Sequence, residues 1–296
     1  MMFKYIYCMH NDLADLGVNM SINFDVVITS DDYSVDMNSG LDTLKGASEA
    51  TRQIATTILE ARVPERLSSE SKVRTNLKKS FKGSFGQQFS IDIYDLEVKK
   101  RFNKIGKQAF VELISYFINE ALYQESLELS PKAKHVLKDL GIELEEKLIK
   151  QLQKSSLDHL HTISNNFNQD VKLRYRQSRE QQTILAKVDR ATHATLQPRT
   201  DKTQRNITAS ITRLNINTGN GRLQIQGADE TVAFGFPATR KYLELKAASK
   251  TPFSENLHTN NGKPRDEWET LKLRVHTQTT NTGRIIKYII EGIIDA

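Results

Sequence analysis

The chain has 296 residues, 38% hydrophobic and 26% charged, enough for two ordinary cores and too polar for a membrane protein. One cysteine, Cys8, excludes an intrachain disulfide and a cysteine-rich zinc module. No apolar run reaches the roughly 20 residues that span a bilayer, and Met1–Cys8 is too short for a secretory apolar region, so a cytoplasmic location is expected.

The net charge of +6 is unevenly laid out: −6 over residues 1–60, +7 over 61–107, −3 over 108–150, and +4 over each of 151–200 and 201–296. A dedicated duplex binder concentrates its cations on one element. Alternating blocks of opposite sign instead suit pairing with a protein or with a second copy of the chain.

Residues 1–105 predict a small antiparallel sheet with helices. Asn23–Thr29 alternates Phe24, Val26 and Ile28 with Asn23, Asp25 and Val27, the period of a strand. A helix is expected from Asn38 or Ser39 as N-cap, with Leu41, Leu44, Ala47, Thr51, Ile54 and Ile58 on its apolar face and Pro64 as its stop. Extended runs follow at Lys72–Lys79 and Gln88–Val98, joined through the turn Gly83-Ser84-Phe85-Gly86.

Residues 106–198 predict a long helical arm. Phe110, Leu113, Ile114, Phe117, Ala121 and Leu122 form one stripe, and a short helix runs from Pro131 to Gly141. The 56 residues Ile142–Gln197 contain neither Gly nor Pro. Leu144, Leu148 and Leu152, then Leu160, Ile163, Phe167 and Val171, are spaced by three and four, with a break expected at Ser164-Asn165-Asn166. So narrow a seam predicts two helices or one bent arm packed against a partner.

Residues 199–296 predict a small β-barrel with one helix, so the fold class is α+β. Asn206–Asn217 alternates, Thr218-Gly219-Asn220-Gly221 turns, and Leu223–Ile225 returns. Thr231–Phe236 is a third strand, Thr239–Ser249 a helix and Ser254–Pro264 a loop. Leu271–Gln278 and Arg284–Ile294 close the module as a hairpin.

Catalytic signatures are sparse. The sequence contains no glycine-rich phosphate loop, no His-Glu-x-x-His and no Gly-x-Ser-x-Gly. Asp92, Glu97 and Lys99 form a nuclease-like trio on one extended segment, two carboxylates for a divalent metal and a lysine for the phosphate. The Glu-x-Lys spacing recurs at Glu244 and Lys246, and a solvated strand edge explains the trio equally well. His159 and His161, near Asp158 and Asp170, point apart on a helix and share no metal unless it breaks there. Cys8 and His10 lack an orienting third residue. Neither an enzyme nor a cofactor or metal is expected.

The binding candidates are cations. Lys78, Lys79 and Lys82, with Lys72 and Arg74, surround Phe81 and Phe85, whose rings suit base stacking. Arg174, Arg176 and Arg179 suit phosphates or an acidic partner. A solvated face with both phenylalanines in the core is the plain alternative.

Several short motifs carry a resemblance. They are Phe24-Asp25-Val26-Val27-Ile28, Asp36-Met37 leading to Leu41, Leu44 and Gly46, then Val73 and Gly83-Ser84-Phe85, and Asn217-Thr218-Gly219-Asn220-Gly221 with Phe234-Gly235-Phe236. In these the chain resembles a family of functionally uncharacterised bacterial and phage proteins, with an N-terminal strand–helix module, a helical middle and a small C-terminal β module. The middle departs most, being longer in uninterrupted helix. The resemblance implies a setting in phages, prophages or mobile elements and carries over no catalytic residue. In that setting the expected function is a non-enzymatic, self-assembling inhibitor that binds and blocks a host defence complex, as Gabija anti-defence proteins do. The alternatives are a basic nucleic-acid-binding component and a metal-dependent nuclease.

Overall fold

The structure is a computed structural model and describes residues 20–81, 84–216, 218–237 and 239–294. The chain divides into two units, one running to residue 121 and from 126 to 193, the other comprising 122–125 and 194 onward.

In the first unit, period-two alternation builds β1 (Met20–Ile28), β2 (Val73–Phe81) and β3 (Phe85–Ile93). β4 (Val171–Arg176) and β5 (Gln182–Val188) complete one sheet in the order β2-β3-β1-β4-β5, every neighbouring pair antiparallel. Ile22, Phe24, Val26 and Ile28 are buried on one face, with Phe89 and Ile91 from β3 and Val171 and Leu173 from β4. Two helices cover that face. α1 (Met37–Glu60) meets it where Ser48 Oγ lies 2.5 Å from Thr75 Oγ1. Further along, α2 (Leu96–Ile105) precedes α3 (Lys107–Ala121), whose Ser115 Oγ donates to the Leu185 carbonyl at 2.7 Å.

Helix boundaries differ from expectation for local reasons. The N-cap of α1 is Asp36, which accepts from the Ser39 amide at 2.8 Å, and Leu41 lies 54% exposed rather than in the core. The helix ends before Pro64, at Ala61, which adopts a left-handed conformation. The extended run predicted through Val98 stops at Ile93, because Asp95 caps α2 by accepting from the Val98 amide at 3.0 Å.

The arm over 142–197 is corrected. α4 (Pro131–Leu140) and α5 (Ile142–Gln151) lead through a π-helical turn (Leu152–Ser156) into short α6 (Leu157–Leu160) and α7 (Thr162–Phe167). Asn168 then stops the helix at φ 56°, taking the left-handed position that glycine usually fills. Beyond it Val171, Leu173 and Tyr175 alternate with Lys172, Arg174 and Arg176, and the strand joins the N-terminal sheet. The helical spacing from Phe167 to Val171 spans this stop. A one-turn α8 (Arg190–His193) ends the unit.

The second unit is a closed barrel of β6 (Arg199–Leu214), β7 (Gly221–Ile225), β8 (Thr231–Gly235), β9 (Leu271–Thr279) and β10 (Ile285–Ile293). Around the barrel the strands run β6-β7-β8-β10-β9 and back to β6, with β8 and β10 parallel. With helices between its third and fourth strands, this is the connectivity of an OB barrel, a scaffold that hosts many functions. α9 (Thr239–Glu244) and α10 (Ala247–Asn260) occupy that connection, so the loop predicted from Ser254 is helical as far as Asn260. The polar residues there are poor helix formers, but tertiary anchors hold them. Phe253 enters the barrel core, and the Asn256 side chain accepts from the Ile211 amide at 2.8 Å and donates to the Glu269 carbonyl at 2.9 Å. Among the described residues no helix is long and apolar enough to cross a membrane.

Candidate anion-binding cleft

Residues directly opposite in an antiparallel pair share a face. The face of the first unit's sheet opposite the helices therefore carries three polar rows. Arg74, Asp92 and Ser21 form one, Asn76, Ser90 and Asn23 the next, and Gln88, Asp25 and Arg174 the third. Arg176 enters the middle row beside Asn23, since Phe24 pairs with the preceding Tyr175.

Asp25 organises the third row. Its carboxylate is wholly enclosed and accepts from Arg176 Nε at 2.6 Å, Arg176 Nη2 at 2.8 Å and Arg174 Nη2 at 3.0 Å. Both oxygens are thereby engaged, and the two guanidiniums are fixed with one positive charge in excess. Phe81 supports them from β2: its ring centroid lies 5.0 Å from Arg176 Cζ and 5.6 Å from Arg174 Cζ. The ring lies over Gly86, in the space that a Cβ there would need.

A β-bulge completes the arrangement. The β2–β3 register shifts between Leu77 and Ser80, setting Lys78 and Lys79 against the single residue Gln88. In a regular strand these lysines point to opposite faces. Here Lys78 Nζ reaches Asp92 at 3.7 Å, while Lys79 lines a cleft of about 550 Å³ on the same face. The residues that line the cleft include Asn23, Phe81, Gln88, Lys79, Arg176 and Arg179, and among the described residues no carboxylate lines it. Arg179 stands in the β4–β5 turn, where Ser178 Oγ accepts from the Gln181 amide at 3.1 Å, and Glu180 of that turn lies 3.2 Å from Ser178 Oγ. A concave wall carrying three cations, one of them held by a buried countercharge, has the charge to receive an anion.

Asp92 is a structural carboxylate. It accepts from Ser21 and Asn76 and pairs with Lys78. Burial pushes its pKa up, but the hydrogen bonds and the lysine outweigh that and hold it below the ordinary aspartate value. Glu97 and Lys99 lie on α2, not beside Asp92 on a strand, and Glu97 pairs with Lys100 at 2.8 Å. The nuclease-like trio is therefore not assembled. At the same end of the sheet Arg74 stacks on Tyr94 with Cζ 3.7 Å from the ring centroid.

Three of the predicted binding residues, Lys79, Arg176 and Arg179, line the cleft, with Lys78 and Arg174 beside them. Phe85 is not among them: it pairs with Ile28 and so lies on the helix-covered face. Lys82, Cys8 and His10 lie outside the described residues. His159 bonds Glu49 at 2.9 Å, whereas buried His161 lies 2.9 Å from Thr192 Oγ1. Among the described residues no group of three or more His, Cys, Asp or Glu is placed to hold a metal.

Sequence reasoning missed Asp25, Asn23 and Gln88. The available signal was a carboxylate inside an otherwise apolar strand, Phe24-Asp25-Val26-Val27-Ile28. No protein family, curated protein or solved structure matches the chain, so its chemistry rests on these residues alone.

Proposed function

We propose that the protein is a nucleic-acid-binding protein that holds phosphates on the open face of its N-terminal sheet. One observation supports this above others: Arg176, fixed with its neighbour Arg174 by enclosed Asp25 and backed by Phe81, lines a cleft shared with Lys79 and Arg179 in which, among the described residues, no carboxylate stands. Rigid guanidiniums lose little freedom on meeting a phosphate, so such a site gains affinity through preorganisation. The barrel's connectivity would also admit an oligonucleotide, but its β7–β8 outer surface offers Arg222, Gln224, Thr231 and Ala233, without an aromatic ring. Arg222 is committed there to Thr231 and to the Tyr123 carbonyl.

The reading is of a binding protein acting in the cytoplasm, of the host if the gene is a phage's. Its test is fluorescence anisotropy of the full chain with a labelled oligonucleotide at several salt concentrations. Affinity is expected to fall steeply with salt, and the double variant Lys79→Glu, Arg179→Glu to weaken binding and flatten the salt slope by about two. Binding that ignores both substitutions removes the proposal. The same protein, tagged and recovered from phage-infected cells, examines the inhibitor reading. A stoichiometric host defence protein, with no salt-labile nucleic acid, would favour an inhibitor that acts by assembly.

A further inference from the structure

Resting on that reading, we infer that the ligand is a single strand of several nucleotides, running along β1 from the Arg176 cleft to the Arg74–Tyr94 corner. Asp25 and Ser21 mark two rows of one face and are four residues apart on β1. At the rise of a strand this is about 13 Å. Stacked nucleotides advance about 3.4 Å each, so the interval holds roughly four, and fewer if the strand is extended.

Each end of the interval sets arginine against an aromatic ring near an enclosed carboxylate. At one, Arg174 and Arg176 lie over Phe81 and are bonded to enclosed Asp25. At the other, Arg74 lies over Tyr94, beside Asp92 and its partner Lys78. Both carboxylates are consumed by their own donors, so each end presents a surplus cation to a ligand. Between Arg176 and the Arg74 corner the face offers Asn23 and Asn76, while Ser90 of the same row is buried beneath them.

Guanidinium–aromatic stacks present flat faces as well as charge, and bases of a single strand stack on both. A duplex keeps its base faces hidden and would engage phosphates alone. A mononucleotide would occupy the cleft and leave the Arg74 corner unused. A single strand alone uses both ends together.

The test is a ladder of labelled thymidine and uridine oligomers of one, two, four and eight nucleotides, with an eight-base-pair duplex, each titrated with the full chain. Affinity is expected to rise at least about tenfold between the dimer and the tetramer, then to level off. Arg74→Gln, on the edge strand, should lower octamer affinity severalfold and dimer affinity by much less. Lys79→Glu should weaken both. Equal affinity for monomer and octamer, or tighter binding of the duplex, overturns the inference and leaves the cleft reading standing. Indifference of every oligomer to Lys79→Glu, or binding of an acidic protein in place of any oligomer, overturns both. A DNA-over-RNA preference, or the reverse, only names the sugar and supports the inference.

Discussion

Asp25 and Arg176 meet across β1 and β4 through two hydrogen bonds, 2.6 and 2.8 Å long, although 151 residues separate them in sequence. The carboxylate is fully enclosed and the guanidinium is mostly so, with 15% of its side chain exposed. Removing the acid leaves two enclosed cations facing each other. Asp25→Asn is therefore expected to destabilise the first unit by about 3–5 kcal/mol in urea denaturation. An unshifted midpoint would mean that solvent reaches the pair. Arg176→Lys keeps the charge and loses the fork, so its larger effect is expected on ligand affinity.

Two glycines should respond differently to the same added methyl. At Gly86 a Cβ meets the ring of Phe81, a side chain that can swing away. Gly86→Ala should cost about 1 kcal/mol of stability and several-fold in oligonucleotide affinity, because the displaced ring no longer backs Arg174 and Arg176. At Gly46 a Cβ meets the backbone of His159 and Leu160, which cannot yield alone. Gly46→Ala should cost about 3 kcal/mol, measured by the same denaturation.

Buried His161 makes the first unit sensitive to mild acid. Its Nδ1 faces the Leu157 carbonyl at 2.5 Å, so Nδ1 carries the proton, and Nε2 lies 2.9 Å from Thr192 Oγ1. Burial, opposed by that carbonyl and aided by the neighbouring His193, pushes the pKa down to about 4. Between about pH 6.5 and 4 the unfolded chain binds a proton that the native state excludes. Stability is thus fully present above pH 6.5 and should fall by about 3 kcal/mol as pH drops to 4. The lowered Asp92 pKa acts in another window, below the ordinary aspartate value of 3.8. His161→Gln should flatten the slope between pH 6.5 and 4, and an unchanged slope would assign it to other groups.

The barrel can be followed separately, because the only tryptophan in the sequence, Trp268, lies in the second unit and donates Nε1–H to the Lys263 carbonyl at 3.0 Å. Asn256→Ala strips a partner from the Ile211 amide, and Asn260 still serves the Glu269 carbonyl at 2.9 Å. A loss of about 2 kcal/mol is expected in the Trp268 fluorescence transition. Signals from the first unit should not move at the same denaturant concentration.

The parts of the fold legible in the sequence were those whose residues lie close together. The alternation of Phe24, Val26 and Ile28, the stripe of α3 and the barrel hairpins each announce themselves within a dozen residues. The β4–β5 hairpin did not. Asn168 replaces the expected glycine, and the turn after Arg176 is made from Gln, Ser, Arg and Glu rather than Gly or Pro. The cleft was half legible: its cations were readable as residue types, but their meeting depends on a bulge and on β1 lying between two strands far apart in sequence. Asp25 was hidden for the same reason, since a lone acid in a strand reads as a solvated position until its two arginines are known.

The placement of β1 also governs how the protein emerges during synthesis. One side of β1 is paired by β3, complete at residue 93, and the other only by β4, which starts at residue 171. At translation rates of about 5–20 residues per second, that interval lasts roughly 4–16 s. Throughout it, the central strand of the future sheet presents an open edge to solvent, with Asp25 still lacking its arginines. A nascent chain of this kind depends on α1 and α3 arriving early to cover the apolar face, and slowed translation between residues 93 and 171 should lower the soluble yield.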